Sequence, residues 1–372
     1  MYYLIYPEKD TTLYEKEPTQ NTGIDPILEI TKWTKDQVST DGNIWANTYN
    51  SRILMQFDLT SISSSIVNGE ISSNASYHLN LRAIDATDLP VSYSLAAYPL
   101  SQSWSNGNGN TNDIPITTNG ASWYYRDNKD TATSWQTSSF AADSTGSWVT
   151  NPGGGSWYTA SAATQSFNYA SPDVRMDITN IVKQWISGSI PNNGLIIKRP
   201  NGDESGSAVF GKLKFFGKDT HTIYVPRLEI SWDDSSFVTG SLSALTDEDI
   251  VLYFKNLRPE YKESSKAKLR IVGRSQYPTK VYSTSSVYLS VNYLPTSSYY
   301  SVKDSRTEET IIPFDNNYTK LSCDSTGNYF NVRLNAFQPE RYYKFIFKVE
   351  RSGGDDTQIF DNGYYFKVIR EY

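Results

Sequence analysis

Short runs of alternating apolar and polar residues, set between clusters of turn formers, limit what this chain can fold into. The cleanest is Pro226-Arg-Leu-Glu-Ile-Ser-Trp232, with Leu228, Ile230 and Trp232 in one phase. A second runs from Tyr77 to Leu81 within 75–83. Successive strand residues point to opposite faces, so a period of two buries one face and wets the other. Further strands are expected at 52–59, 92–98 and 194–199, and then at 249–254, 267–272, 287–293, 329–334, 342–349 and 364–369. Ser325-Thr-Gly-Asn328 and Ser352-Gly-Gly-Asp-Asp356 read as hairpin turns between them. The 28 Tyr and 9 Trp suit a pleated, half-buried surface. Together these features predict an all-β chain.

One helix interrupts the pattern. Ile178, Ile181, Val182, Trp185 and Ile186 recur at helical spacing over 177–188. Asp177 or Thr179 is placed to cap its start and Gly188 its end.

A length of 372 residues accommodates two ordinary domains, and composition divides the chain near residue 235. All nine Trp and both His lie before it. Residues 1–235 carry 16 Lys+Arg against 24 Asp+Glu, and 236–372 carry 18 against 16. The expected domains are therefore 1–235 and 236–372. The second has the size and strand count of an immunoglobulin-like β-sandwich. Within the first, 101–165 is a long polar stretch rich in Gly, Asn, Ser and Trp. Loops of that length in compact domains tend to be functional.

The chemistry-bearing residues are sparse. One cysteine, Cys323, leaves no internal disulfide, and two distant histidines, His78 and His221, provide no zinc set and no nucleophile–base motif. Calcium requires only oxygen ligands, so Asp41-Gly-Asn43 and Asp233-Asp234 remain candidates for a structural ion. The same residues serve ordinary turns. No other cofactor is expected. The net charge of −6 offers no footprint for nucleic acid, and no stretch is apolar for long enough to span a bilayer as a helix. The start, MYYLIYPEKD, does not read as a signal peptide. Trp104, Trp123, Trp135, Trp148 and Trp157 all fall in the polar stretch and are the candidate glycan-contacting residues. The competing reading is that these rings pin the loops over the core.

The first domain resembles the DNRLRE-type family of jelly-roll domains linked to carbohydrate or cell-surface binding. The likeness spans roughly 8–232. It rests on Asp10-Thr-Thr-Leu-Tyr14 with Asn21-Thr-Gly23, on Ser51-Arg-Ile-Leu-Met-Gln-Phe-Asp-Leu59 and on 75–81. It continues through the Trp-containing Ser103-Trp104 and Gly154-Gly-Ser-Trp157, the helix with its preceding strand over 174–185, and Asn192-Asn-Gly-Leu-Ile-Ile197. The 105–152 region is longer and more polar than that pattern. The second domain is similar in style to structural proteins of tailed-bacteriophage virions, at 317–330 and at Phe337-Gln-Pro-Glu-Arg-Tyr-Tyr343.

These resemblances imply a jelly-roll-like sandwich followed by an immunoglobulin-like one. They imply a non-enzymatic virion component assembled in a host cytoplasm, at the neck, tail or capsid surface. Its partners would be other virion proteins and copies of itself in a symmetric assembly, with fibre anchoring or glycan contact as further roles. The alternatives are a carbohydrate-binding module of a cell-surface protein and a glycan-degrading enzyme.

Overall fold

The computed structural model describes all residues except 39–43, 137–152, 170, 207, 279–281, 283, 285–290, 352–355 and 372. For 34–38 and 44–47 it describes the backbone alone. The described residues form an all-β protein of sandwich type, with short helices at Thr60–Val67, Thr179–Ile186 and Asn201–Ser205. Two compact units are present. One contains Ile5–Glu70 and Ser76–Glu229; the other contains Ile230–Tyr372 together with Met1–Leu4 and Ile71–Ala75. The C-terminal unit thus takes in two N-terminal stretches that composition had no means of reassigning. The reason is burial: Tyr2 and Leu4 belong to its apolar core. The Met1 ammonium donates to the carbonyls of Trp232 and Tyr318 at 2.5 Å each and lies 3.1 Å from Asp234.

The N-terminal unit is built on a large sheet in the order Ala163–Asn168, Ser92–Pro99, Leu195–Lys198, Ile44–Gln56, Ile27–Val38, Gly211–Phe216, Ala83–Thr87. Ile44–Gln56 changes partner partway along. Residues 44–50 pair with Ile27–Val38, while 51–56 pair with Lys9–Tyr14. A second sheet contains Ser76–Leu81 paired with Val174–Asp177, and Arg227–Ser231 joins it. Ser76–Leu81 and Val174–Asp177 show the expected alternation, whereas Arg227–Ser231 is buried on both phases from Leu228 onward. Tyr77, Leu79 and Leu81 are buried, with Val174 and Met176 beside them.

The expected helix spans Thr179–Ile186, with Ile178, Ile181, Val182 and Trp185 buried. Its start differs from expectation. Ile178 occupies the N-cap, and no side chain caps the helix. Asp177 Oδ1 instead accepts from the Thr179 amide at 2.9 Å, an Asx-type turn leading into the helix. At the other end, Gly188 has a φ of +73° and its amide donates to the Trp185 carbonyl.

The C-terminal unit encloses one core between two sheets. Leu252, Leu269, Ile271, Phe330 and Val332 come from one, and Tyr300, Tyr343, Phe345, Phe347 and Phe366 from the other. Phe330 stacks on Tyr300 at 4.5 Å between ring centroids, and Phe345 stacks on Phe366 at 4.7 Å. Offset aromatic pairs of this kind add to the area they bury. The turn at 325–328 joins Ser322–Asp324 to Gly327–Arg333 as a hairpin, with Gly327 at a φ of +119°. Arg341–Arg351 pairs antiparallel with Asp356–Ile369. The turn residues 352–355 lie outside the described set, as does most of the expected strand 287–293, of which Asn292–Tyr293 is seen.

Candidate functional site

The polar stretch after residue 100 is clamped to the sheet. Asn21 is fully buried and donates from Nδ2 to the carbonyls of Asn106 (2.9 Å) and Ala121 (2.8 Å). Its Oδ1 accepts from the Gly109 amide at 2.9 Å. One side chain therefore satisfies three backbone groups on the stretch, which would otherwise be costly to bury. Glycine is required where the chain approaches so closely. A Cβ on Gly107, at a φ of +78°, would lie 2.2 Å from Asn21 Oδ1.

The tryptophans complete the clamp. Trp104, Trp123, Trp135 and Trp157 are at most 4% exposed and form one cluster with Leu13, Leu54, Leu100 and Ile196. Trp104 Nε1 donates to the Asn193 carbonyl and Trp135 Nε1 to the Ser122 carbonyl, each at 3.0 Å. Their faces are covered by protein. This corrects the assignment of these four rings as glycan contacts, because a sugar stacks only on an exposed face. Trp148, the fifth candidate, lies outside the described residues.

A buried ionic node sits against the cluster. Arg52 is fully buried, with its guanidinium 4.6 Å from the Trp123 ring and 5.4 Å from Trp157. It grips Glu204 through Nε (3.1 Å) and Nη2 (2.8 Å), and its Nη1 donates to the Gly154 carbonyl at 2.7 Å. Lys198, also fully buried, lies 2.7 Å from Glu204 Oε2 and 5.2 Å from the Trp157 ring. Burial alone would raise the Glu204 carboxyl; Arg52 and Lys198 outweigh it and hold the group below its ordinary value. The Gly154-Gly-Ser-Trp157 segment belongs to the same device, since a Cβ on Gly154 would meet Arg52 Nη1 at 2.4 Å.

One open feature of this unit lies elsewhere. A cleft of about 380 Å³ is lined by Tyr14, Gln20, Glu29, Trp33, Tyr49 and Lys212, among others. It forms beside the point where Ile44–Gln56 changes partner. Trp33 is 37% exposed, and the Lys212 ammonium lies 4.7 Å from its ring. Glu29 and Lys214 pair at 3.0 Å. Burial pushes the Tyr14 hydroxyl well above its ordinary value, and the carboxylates of Glu29 and Asp25 push it further. None of the cleft residues was among the candidates, although one signal pointed there. Along Ile27–Val38, Leu28 and Ile30 define the buried phase and Glu29 and Thr31 the outer one. Trp33 falls on the outer phase, and a large ring on the polar phase of a strand calls for an explanation.

The remaining candidates separate. His78 sits in the strand Ser76–Leu81, opposite Asp177, and His221 is exposed in a turn. Asp41–Asn43 lies outside the described residues. Asp233 accepts from the Ser235 amide, while Asp234 holds the Met1 ammonium and accepts from Asn331. Among the described residues no group of three His, Cys, Asp or Glu could hold a metal ion.

Asp10, in the strand Lys9–Tyr14, is buried with one oxygen accepting from the Lys218 amide at 2.6 Å and the other without a partner. Burial raises its carboxyl to about 7, against the pull of Lys218. The folded state then holds a proton that the unfolded chain releases near the ordinary value of 3.8, so stability should fall as pH rises from about 4 to 7. That shift corresponds to at most about 4 kcal/mol. Asp10→Asn should flatten this part of the stability–pH curve in denaturant titrations. An unchanged slope would remove Asp10 as its source.

Compared with protein-family models, curated proteins and solved structures, the chain finds no match.

Proposed function

We propose that this chain is a structural component of a tailed-bacteriophage virion, at the neck, tail or capsid surface. It works there by subunit–subunit assembly and carries no catalytic task. One observation carries the reading. The outer face of the C-terminal unit's second sheet exposes Tyr342 (57%), Ile359 (63%) and Tyr365 (52%). Register places them on one face, because Tyr342 opposes Lys367, Lys344 opposes Tyr365 and Lys348 opposes Ile359. The lysines between them are held by carboxylates: Lys344 by Glu308 and Asp361, and Lys367 by Glu340. Exposed Tyr amid neutralised charge is the composition of interface cores rather than of ordinary surface. The clamped polar stretch of the N-terminal unit fits the same role, since a building part gains from a face that is already ordered before assembly.

The resemblance at 317–330 and 337–343 supplies the location. The test is particle composition. The chain should be present at fixed copy number in purified particles, and Tyr342→Glu with Tyr365→Glu should abolish incorporation while leaving the isolated protein folded. Incorporation of the double variant at the unmodified level would overturn the assignment of this face.

A further inference from the structure

Arg199 is a sealed cation with no ion pair among the described residues, and we propose that its guanidinium, together with the Tyr93 hydroxyl, holds a chloride ion. The inference goes beyond the assembly role and does not depend on it.

Three observations carry it. The first is the state of the guanidinium. Arg199 is 1% exposed. Its Nη2 donates to the Phe210 carbonyl at 2.6 Å, while Nε and Nη1 have no partner among the described residues. Buried polar groups are hydrogen-bonded and buried charges are paired, so open donors on a sealed cation call for an acceptor. The Tyr93 and Phe210 rings lie 5.6 and 5.1 Å from the guanidinium carbon. Ring faces attract a cation, but N–H contacts to them are second-order and do not replace a lone-pair acceptor.

The second observation is a further donor beside the first two. The Tyr93 hydroxyl is buried and also has no partner among the described residues. Burial raises it above its ordinary value, and the Arg199 charge pulls it the other way. Its ring is fixed by stacking on Phe167, at 4.7 Å between centroids.

The third is charge balance. Lys32, Arg52, Lys198 and Arg199 are all buried. Glu204 takes up Arg52 and Lys198. Lys32 has only the carbonyls of Asp203 and Gly206, and no ion pair among the described residues. Lys32 and Arg199 also share the Phe210 ring, with the Lys32 ammonium 5.6 Å from its centroid. Burial lowers the Arg199 guanidinium to about 10, against the pull of Tyr93, Asp203 and Glu204. An anion at the open donors would offset a cost that the chain's own carboxylates leave standing.

The chemistry asks for one small anion that accepts from several donors without directional demand. Arg199, Tyr93 and Phe167 are all buried, so the space suits a monatomic ion rather than a phosphate or a partner's carboxylate. Bound there, chloride would tie the start of Ser92–Pro99 to the segment that follows Leu195–Lys198.

The experiment is urea unfolding of the full chain at constant ionic strength, with chloride exchanged for gluconate, which is too large to enter. For a dissociation constant on the order of 10 mM, 100 mM chloride should raise the folding constant of the N-terminal unit roughly tenfold over gluconate. Tyr93→Phe keeps the stacked ring and removes one donor, and should cut that factor to about threefold or less. Arg199→Met should abolish it. Crystals grown in bromide should show an anomalous peak in contact with Arg199 Nε or Nη1. Equal stability in chloride and gluconate, a tenfold effect retained in Tyr93→Phe and Arg199→Met, or only water at the guanidinium in the bromide crystals would overturn the proposal.

Discussion

Glu204→Gln is expected to lower the stability of the N-terminal unit by about 3–5 kcal/mol, because it takes the shared carboxylate from two buried cations. Arg52 and Lys198 are both fully buried and share this one carboxylate. A neutral amide keeps the shape and removes the charge that justifies their burial. The loss should be read by urea denaturation followed by tryptophan emission. Every tryptophan except Trp232 lies in the N-terminal unit, so the signal reports mainly on it. The paired carboxyl also predicts the direction with acid. Held below its ordinary value, Glu204 contributes stability above the normal carboxylate range and loses it as pH falls through the folded value. In Glu204→Gln that part of the acid sensitivity should vanish. A triple replacement of Arg52, Lys198 and Glu204 by apolar residues of matching volume should recover most of the loss, since the network has to beat its own desolvation. If Glu204→Gln costs less than about 1 kcal/mol, the node is not closed to water as described.

Trp123→Ala should cost about 3–5 kcal/mol on volume alone, as expected for a buried aromatic replaced by a methyl group. The ring is fully buried between the polar stretch and the Arg52 guanidinium, 4.6 Å away. Its backbone is part of the same clamp, with the Gly154 amide donating to the Trp123 carbonyl at 2.7 Å. Removal therefore opens a cavity and also exposes one face of a buried cation. The two effects share Arg52, so Trp123→Ala and Glu204→Gln should not add in a double-mutant cycle. Strict additivity would show that ring and ion pair act separately. A Trp123→Ala protein of unchanged stability would mean the ring is not in the core, and the glycan assignment of the tryptophans would return.

Much of this architecture was legible in the chain because period two is a local signal. The strands Ser76–Leu81 and Arg227–Ser231 and the helix Thr179–Ile186 lie where alternation and helical spacing put them. Burial of the tryptophans was not legible. The same run of Gly, Asn, Ser and Trp describes an open sugar platform or a sealed clamp. Only Asn21, some 85 residues upstream of its first partner, decides between them. The glycines of 153–155 are close-approach positions, Gly153 and Gly154 against Trp123 and Arg52 and Gly155 against Ile196. Lys32 was equally opaque. It stands on the buried phase of its strand and donates to the carbonyls of Asp203 and Gly206, a partner set drawn from a distant helix. The cleft gathers residues from five separated segments, so no local pattern announces it, beyond Trp33 standing out of phase. The placement of Met1–Leu4 in the C-terminal unit is a tertiary fact of the same kind.

The proposed role is that of a building part, and its most direct test is the chain's copy number in purified particles of the phage that the proposal assigns it to. Quantitative mass spectrometry, normalised to the major capsid protein, should give a fixed stoichiometry that survives density-gradient purification and high-salt washing. A chain that is absent from such particles, or present in variable trace amounts while accumulating free in the lysate, would contradict the account.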